Sequence, residues 1–133
     1  PTPAAMAAAP ERFYRDVVRA GYRAPHLRTI ARAVSTGELD LEGLATTSED
    51  DVAVGERLLA LPGVGPYAAA HILMTLGRHS RLILDSWTRP TYARVTGRRR
   101  VSDATIERTF RPYGPWAGLA FWLTCTRDWI GGD

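Results

Sequence analysis

The sequence predicts an all-α fold, on three observations. Apolar residues recur at helical spacing over most of the 133 residues. Capping residues stand before these periodic runs and glycines stand after them. One short stretch, Arg81 to Asp85 (RLILD), breaks the period and suits an extended segment.

The elements follow in order. Thr2 before Pro3 reads as a cap and first helical position. Pro10 opens a second segment, with Phe13, Val17 and Val18 on its apolar face and Gly21 as its stop. Leu27, Ile30, Ala31 and Val34 make a third, ending near Gly37. Asp40 starts a short helix or turn (DLEGLA). Ser48 with Asp51 reads as a capping box ahead of VAVGERLLAL. Ala68, Ala69, Ile72, Leu73 and Leu76 line the next helix, which Gly77 ends. A helix from Ser86 to Val95 is expected with an interruption at Pro90. Ser102 caps another, and a long apolar-aromatic helix runs from about Pro115 to Ile130. No repeat or linker divides the chain, so residues 1–133 read as one domain.

Composition narrows the function. Apolar residues make up 45%, an ordinary value for a chain with a core. No apolar run approaches the roughly 18 residues a membrane span needs, and no signal peptide is visible. The single cysteine, Cys125, allows neither an internal disulfide nor a cysteine cluster. A soluble, reducing setting inside the cell is expected, in the cytoplasm with the nucleoid, and a monomer. Net charge is +3, and all 17 basic residues are arginine. With no lysine there is no side-chain amine for a Schiff base, while arginine can still grip phosphate.

LPGVGPYAAA, residues 61–70, concentrates turn residues before a helix. Gly63 and Gly65 permit positive φ and leave the backbone uncovered. Pro66 suits the first helical turn, where its missing N–H costs nothing. Amides of the turn and helix start can then point outward together as an anion site. With Asp51 to Ala60 before it and Tyr67 to Leu76 after it, the stretch makes a helix–hairpin–helix. The other reading is a tight helix connection that simply needs glycine.

This stretch resembles the hairpin of the helix–hairpin–helix DNA glycosylases named HhH-GPD for their Gly/Pro-rich loop and following aspartate. The aspartate of that signature falls 18 residues after the hairpin's variable position, and Tyr67 plus 18 is Asp85 in LILDSWTR. AGYRAPHLRTIARAV and YGPWAGLAFWL are similar, more weakly, to the helices before the hairpin and closing the barrel. The resemblance implies that Gly63, Gly65 and the Tyr67 amide bind a DNA phosphate. It implies that the carbonyls of Leu59, Leu61 and Val64 hold a monovalent cation, K⁺ or Na⁺, with no other cofactor required. Asp85 would be catalytic, and the partner would be double-stranded DNA carrying a lesion or mismatch. The fold would be the family's helical barrel, truncated at its N-terminus, since helices found in relatives have no counterpart before Pro1.

Breaking a base–deoxyribose bond builds positive charge on the sugar, which a carboxylate can stabilise where water is excluded. It can also orient or deprotonate water. From local sequence alone Asp85 reads equally as the N-cap of the helix near Ser86. Relatives with lysine at the Tyr67 position attack the sugar and then cut the strand. Tyrosine here, in a chain without lysine, implies base release without strand cleavage. Pro1 is the one alternative amine. One cysteine also departs from relatives that carry an iron–sulfur cluster on four. Ser86-Trp87-Thr88-Arg89 differs from the better-known branches, so no lesion is named.

Among the aromatics Tyr67 and Trp87 are base-pocket candidates. Tyr92 and Trp116 read as core, as do Trp122 and Trp129, seven apart on one helical face. Arg78, Arg81, Arg89 and Arg98 to Arg100 could hold flanking phosphates. His26, His71 and His79 lack metal-ligand spacing, and His71 reads as a packed or surface residue. A rival from another class is a non-catalytic helix–hairpin–helix module that binds DNA and has no working base pocket. A helical interaction domain with a tight turn is the third reading.

Overall fold

The computed structural model describes residues 1–129, whose α-helices are joined by short π and 3₁₀ turns, with no strand among the described residues. Helix α1 (Pro3–Ala8) begins at Thr2, whose hydroxyl accepts the Ala5 amide at 3.2 Å, and packs against α2 (Ala24–Thr36). The chain between them departs from expectation. It winds as a π turn (Phe13–Val17), closed by the Val18 amide donating to the Phe13 carbonyl five residues back at 3.0 Å. The wider winding turns Phe13, Val17 and Val18 outward. Tyr14 is buried in their place, its hydroxyl donating to the Met6 carbonyl at 2.6 Å.

Gly37, at φ 79°, ends α2 as predicted. Helix α3 (Leu41–Thr46) starts at Asp40, whose carboxylate accepts the Gly43 amide at 2.8 Å. Helix α4 (Asp51–Leu59) is capped by Asp50 rather than by Ser48. Asp50 directly precedes the helix and reaches two free amides, those of Val52 (3.0 Å) and Ala53 (2.8 Å). Asp51 is thereby free to pair with Arg78 at 3.0 Å.

Helices α5 (Pro66–Thr75), α6 (Thr88–Val95), α7 (Asp103–Phe110) and α8 (Ala117–Thr126) follow. Pro90 does not interrupt α6, because it lies in the first turn, where its absent N–H has no helical partner to lose. The last helix is shorter than predicted. A 3₁₀ run (Arg111–Trp116) with Gly114 at φ 54° precedes it and a 3₁₀ turn (Arg127–Trp129) follows. The expected end at Ile130 lies outside the described residues.

Two apolar clusters hold the helices. Leu44, Val54, Leu58, Ala69 and Leu73 join α3, α4 and α5. Tyr92, Ile106, Phe110, Ala117, Phe121 and Cys125 join α6, α7 and α8. Burying side chains such as Leu58 or Phe121 contributes about 1.5–3 kcal/mol each. The Arg81–Asp85 stretch carries the chain from the first cluster to the second. It is irregular rather than a strand, since no partner strand pairs with it among the described residues. Ile83 is buried, and Leu82 and Leu84 pack on the second cluster. The start of α8 pins this crossing. The Gly118 amide donates to the His79 carbonyl at 2.7 Å, and a Cβ on Gly118 would collide with the Arg81 carbonyl. No described helix is long and apolar enough to cross a membrane.

Candidate nucleic-acid interface and active site

The hairpin is a rigid turn. The Leu61 amide donates to the Leu58 carbonyl and the Val64 amide to the Leu61 carbonyl, both at 3.1 Å. Gly63 sits at φ 78°, and a Cβ there would meet the His26 ring at 2.8 Å. Glycine is required at that position both by backbone and by space. Gly65 differs from expectation: it is extended, at φ −96° and ψ 179°, with open space where a Cβ would stand. What it leaves open is the approach to the hairpin from outside. Among the described residues the amides of Gly63, Gly65 and Tyr67 donate to no protein acceptor. They lie at the turn and the positive end of α5. The Leu59 and Val64 carbonyls likewise accept no bond among the described residues, and Leu61 accepts only from Val64. These three oxygens have the lone pairs a monovalent cation needs.

Asp85 stands where the crossing stretch meets α6. Its Oδ1 accepts the amides of Trp87 (2.8 Å) and Thr88 (2.6 Å), so it does cap the helix. Its Oδ2 accepts nothing from the described residues. Partial burial pushes the Asp85 pKa up. The Thr88 and Trp87 amides, the Thr88 hydroxyl and the charge of His71 outweigh that and hold it below the ordinary carboxylate value. Asp85 is therefore ionised at neutral pH, with one oxygen committed to the fold and one free. Behind it, the Cys125 thiol is pushed up to about 11 by burial and by the Asp85 charge, so it is no nucleophile at neutral pH.

His71 is a packed residue of α5, as its reading from the sequence had it. One helical turn after Tyr67, its ring stands 4.2 Å from the tyrosine ring and its Nδ1 lies 2.9 Å from the Tyr67 carbonyl. Its charge acts on Asp85. The i, i+4 spacing from Tyr67 brings the two rings together. Tyr67 itself is 55% exposed.

Trp87 contributes its amide to the Asp85 turn, while its ring lies 5.8 Å from Trp122 and 5.4 Å from Trp129. Trp122 and Trp129 do face each other, at 6.0 Å. They are not core as expected, since the helix ends between them and Trp129 is 66% exposed. Trp116 is also exposed, stacked on His79, and of the aromatics read as core only Tyr92 is buried.

The arginines divide. Arg78 is no free cation: it donates to the Thr47 and Glu49 carbonyls, both at 2.7 Å, and to Asp51, tying the α3–α4 loop to the end of α5. Arg89 is held bidentately by Asp103, at 2.7 and 2.9 Å. Arg81 lies against Gly55 and pairs with no carboxylate among the described residues. It lines a cleft of about 450 Å³ with Tyr67, Ser80, Arg89 and Glu107. Asp85 and Trp87 do not line that cleft. Arg99 and Arg100, in the exposed loop after Gly97, line a second cleft of about 380 Å³.

Three solved structures share this fold. The 8-oxoguanine glycosylase/lyase of Clostridium acetobutylicum, in complex with double-stranded DNA containing cytosine opposite 8-oxoguanine, is 26% identical, with a TM-score of 0.74 over 96% of this chain and 44% of that one. Its apo form matches at 26% identity and a TM-score of 0.72, over 93% of this chain and 44% of that one. MBOgg1, in complex with a low-affinity DNA ligand, is 22% identical, with a TM-score of 0.76 over 99% and 46%. The chain thus has the helical fold of the helix–hairpin–helix glycosylases and spans less than half the length of these relatives. No family model and no curated protein matches the chain.

Proposed function

We propose that this chain is the hairpin-bearing part of a DNA base-excision glycosylase that releases a base without cutting the strand. The observation that carries the reading is Asp85, an ionised carboxylate held by two amides through Oδ1, with Oδ2 free of any partner among the described residues. Unpartnered amides of Gly63, Gly65 and Tyr67 would grip one backbone phosphate, and Arg81 would neutralise a neighbour. The carbonyls of Leu59, Leu61 and Val64 would hold a monovalent cation that braces the hairpin. With the duplex so positioned and the target nucleotide extruded, Asp85 stabilises the positive charge that develops on the sugar. Tyr67 and Trp87 offer rings near the extruded base. Nothing at the Tyr67 position can attack the sugar as an amine, in contrast to the lyase activity named for the relatives.

The test is base release from duplex oligonucleotides carrying a lesion panel, beginning with 8-oxoguanine opposite cytosine, the DNA in one of the similar structures. The protein and its Asp85→Asn variant are each analysed with and without alkali. Strand cuts that need alkali and vanish in the variant are expected. Cuts without alkali would refute the monofunctional assignment. DNA binding without release from any lesion would leave a non-catalytic binding module. That rival has one observation in its favour, since the cleft beside Tyr67 is not lined by Asp85.

A further inference from the structure

Gly55 stands in the middle of α4 with an ordinary helical backbone, a position where glycine weakens a helix. The space left by its missing side chain is taken by Arg81. A Cβ on Gly55 would lie 2.9 Å from the Arg81 Cζ, 2.9 Å from its Nη2 and 3.1 Å from its Nε. Three atoms of one planar guanidinium at nearly equal distance place the head flat on the glycine. The backbone of Arg81 is held as well, since its carbonyl occupies the space of a missing Cβ at Gly118. Yet the charge so restrained pairs with no carboxylate among the described residues. Of the acids lining its cleft, Asp103 is taken by Arg89, and Glu107 makes no ion pair with Arg81. The same cleft is lined by Pro66 and Tyr67, the start of α5 that carries the free hairpin amides.

From this seating we infer that Gly55 is a positioning residue for DNA binding: its bare backbone holds the Arg81 guanidinium in place for a DNA phosphate next to the one gripped by the hairpin amides. The inference rests on the glycosylase reading above, in which Arg81 is a phosphate contact. Gly55 acts only through Arg81. A long cationic side chain loses rotamer freedom when it closes on a phosphate, and that cost weakens binding. Arg81 has already lost much of that freedom against Gly55 and Gly118. Its planar fork then meets phosphate oxygens with donors in fixed directions. An alanine at position 55 collides with the far end of a flexible side chain and not with backbone. The helix therefore keeps its shape, and the arginine head is what moves.

The experiment measures affinity for duplex DNA carrying an abasic site over a series of salt concentrations, beside melting curves. The proteins are the wild type, Gly55→Ala, Arg81→Ala and the double variant. Gly55→Ala is expected to melt no lower than the wild type, because alanine favours the helix. Its affinity should fall about 10-fold, the loss of one charged hydrogen-bonding contact, and its salt slope by about 1. Arg81→Ala should show the same losses. The double variant should bind as Arg81→Ala does, because the two changes remove one contact. Wild-type affinity and slope in Gly55→Ala would overturn the inference while Arg81 remained a phosphate contact. A Gly55→Ala protein that melts well below the wild type also overturns it, since the helix and not the arginine has then absorbed the added carbon. So does a double variant that binds more weakly than Arg81→Ala. Wild-type affinity in Arg81→Ala removes the phosphate contact and the inference together, and leaves base release through Asp85 standing. Absence of DNA binding by the wild type overturns both this inference and the glycosylase reading.

Discussion

Asp85 and Thr88 hold each other in both directions. The Asp85 carboxylate accepts the Thr88 amide at 2.6 Å, and the Asp85 amide donates to the Thr88 hydroxyl at 2.9 Å. That hydroxyl in turn donates to the Ile83 carbonyl at 2.7 Å, and Thr88 is fully buried. The aspartate is thereby fixed to the crossing stretch and to α6 at once. A cap and a catalytic carboxylate are compatible roles here, because each uses a different oxygen.

Thr88→Val is expected to destabilise the protein by about 1–3 kcal/mol, the cost of leaving buried polar partners unpaired. Shape is preserved, so packing is not at issue. Chemical denaturation measures the loss. A neutral result would show that water satisfies the Ile83 carbonyl and the Asp85 amide instead. Base release should fall as well, because the Asp85 backbone loses its tie to the Thr88 hydroxyl and the carboxylate is then held only by the Trp87 and Thr88 amides.

The Asp85 pKa is lowered in the folded state, so the sign of its pH effect is determined. Its contribution to stability is complete above the unfolded carboxylate value of about 3.9 and is lost as pH falls through the lower folded value. Asp51, whose partial burial is outweighed by its bonds from Ser80 and Arg78, and Asp103, lowered by Arg89, act in the same window. Thermal unfolding followed from pH 6 downward should therefore fall less steeply for Asp85→Asn than for the wild type. Equal slopes would mean that Asp85 is not held in its ionised form.

The two hairpin glycines should respond differently. Gly63→Ala must place a Cβ at positive φ against His26 and should cost more than about 1 kcal/mol of stability. Gly65→Ala has an ordinary backbone and open space, so it should fold as well as the wild type. If the amides bind phosphate, its methyl group obstructs the approach and DNA affinity should drop. Titrations at two salt concentrations, beside melting curves, separate these effects. A Gly65→Ala protein with full affinity would mark the hairpin as a plain turn.

Arg78 and Arg81 should also separate. Arg78→Ala removes three ties to Thr47, Glu49 and Asp51 and should destabilise by about 2–3 kcal/mol, with the salt dependence of DNA binding unchanged. Arg81→Ala should leave stability nearly intact and lower the salt slope by about 1. The opposite pattern would place the phosphate contact at Arg78.

Much of this was legible in the chain. The helical period, the stops at Gly37 and Gly77, the caps at Thr2, Asp40 and Ser102 and the hairpin at Leu61 to Tyr67 are local features. Each is set by residues within one turn of one another. The register of Asp85 with the hairpin was legible as a fixed spacing of 18 residues from Tyr67. Other features were decided only by folding. Which arginines stay free depended on acids brought in from elsewhere, Asp51 to Arg78 and Asp103 to Arg89. The π turn at Phe13 rotated an apolar face outward, and a helix end separated Trp122 from Trp129. The clearest case is Gly118, whose amide bonds the His79 carbonyl and whose missing Cβ lets the Arg81 carbonyl approach, a contact that required the start of α8 to come back against the crossing stretch. Backbone periodicity and caps operate over a few residues, and so they can be read from the chain. Charge pairing and burial act through space between segments distant in sequence, and only the packed structure assigns them.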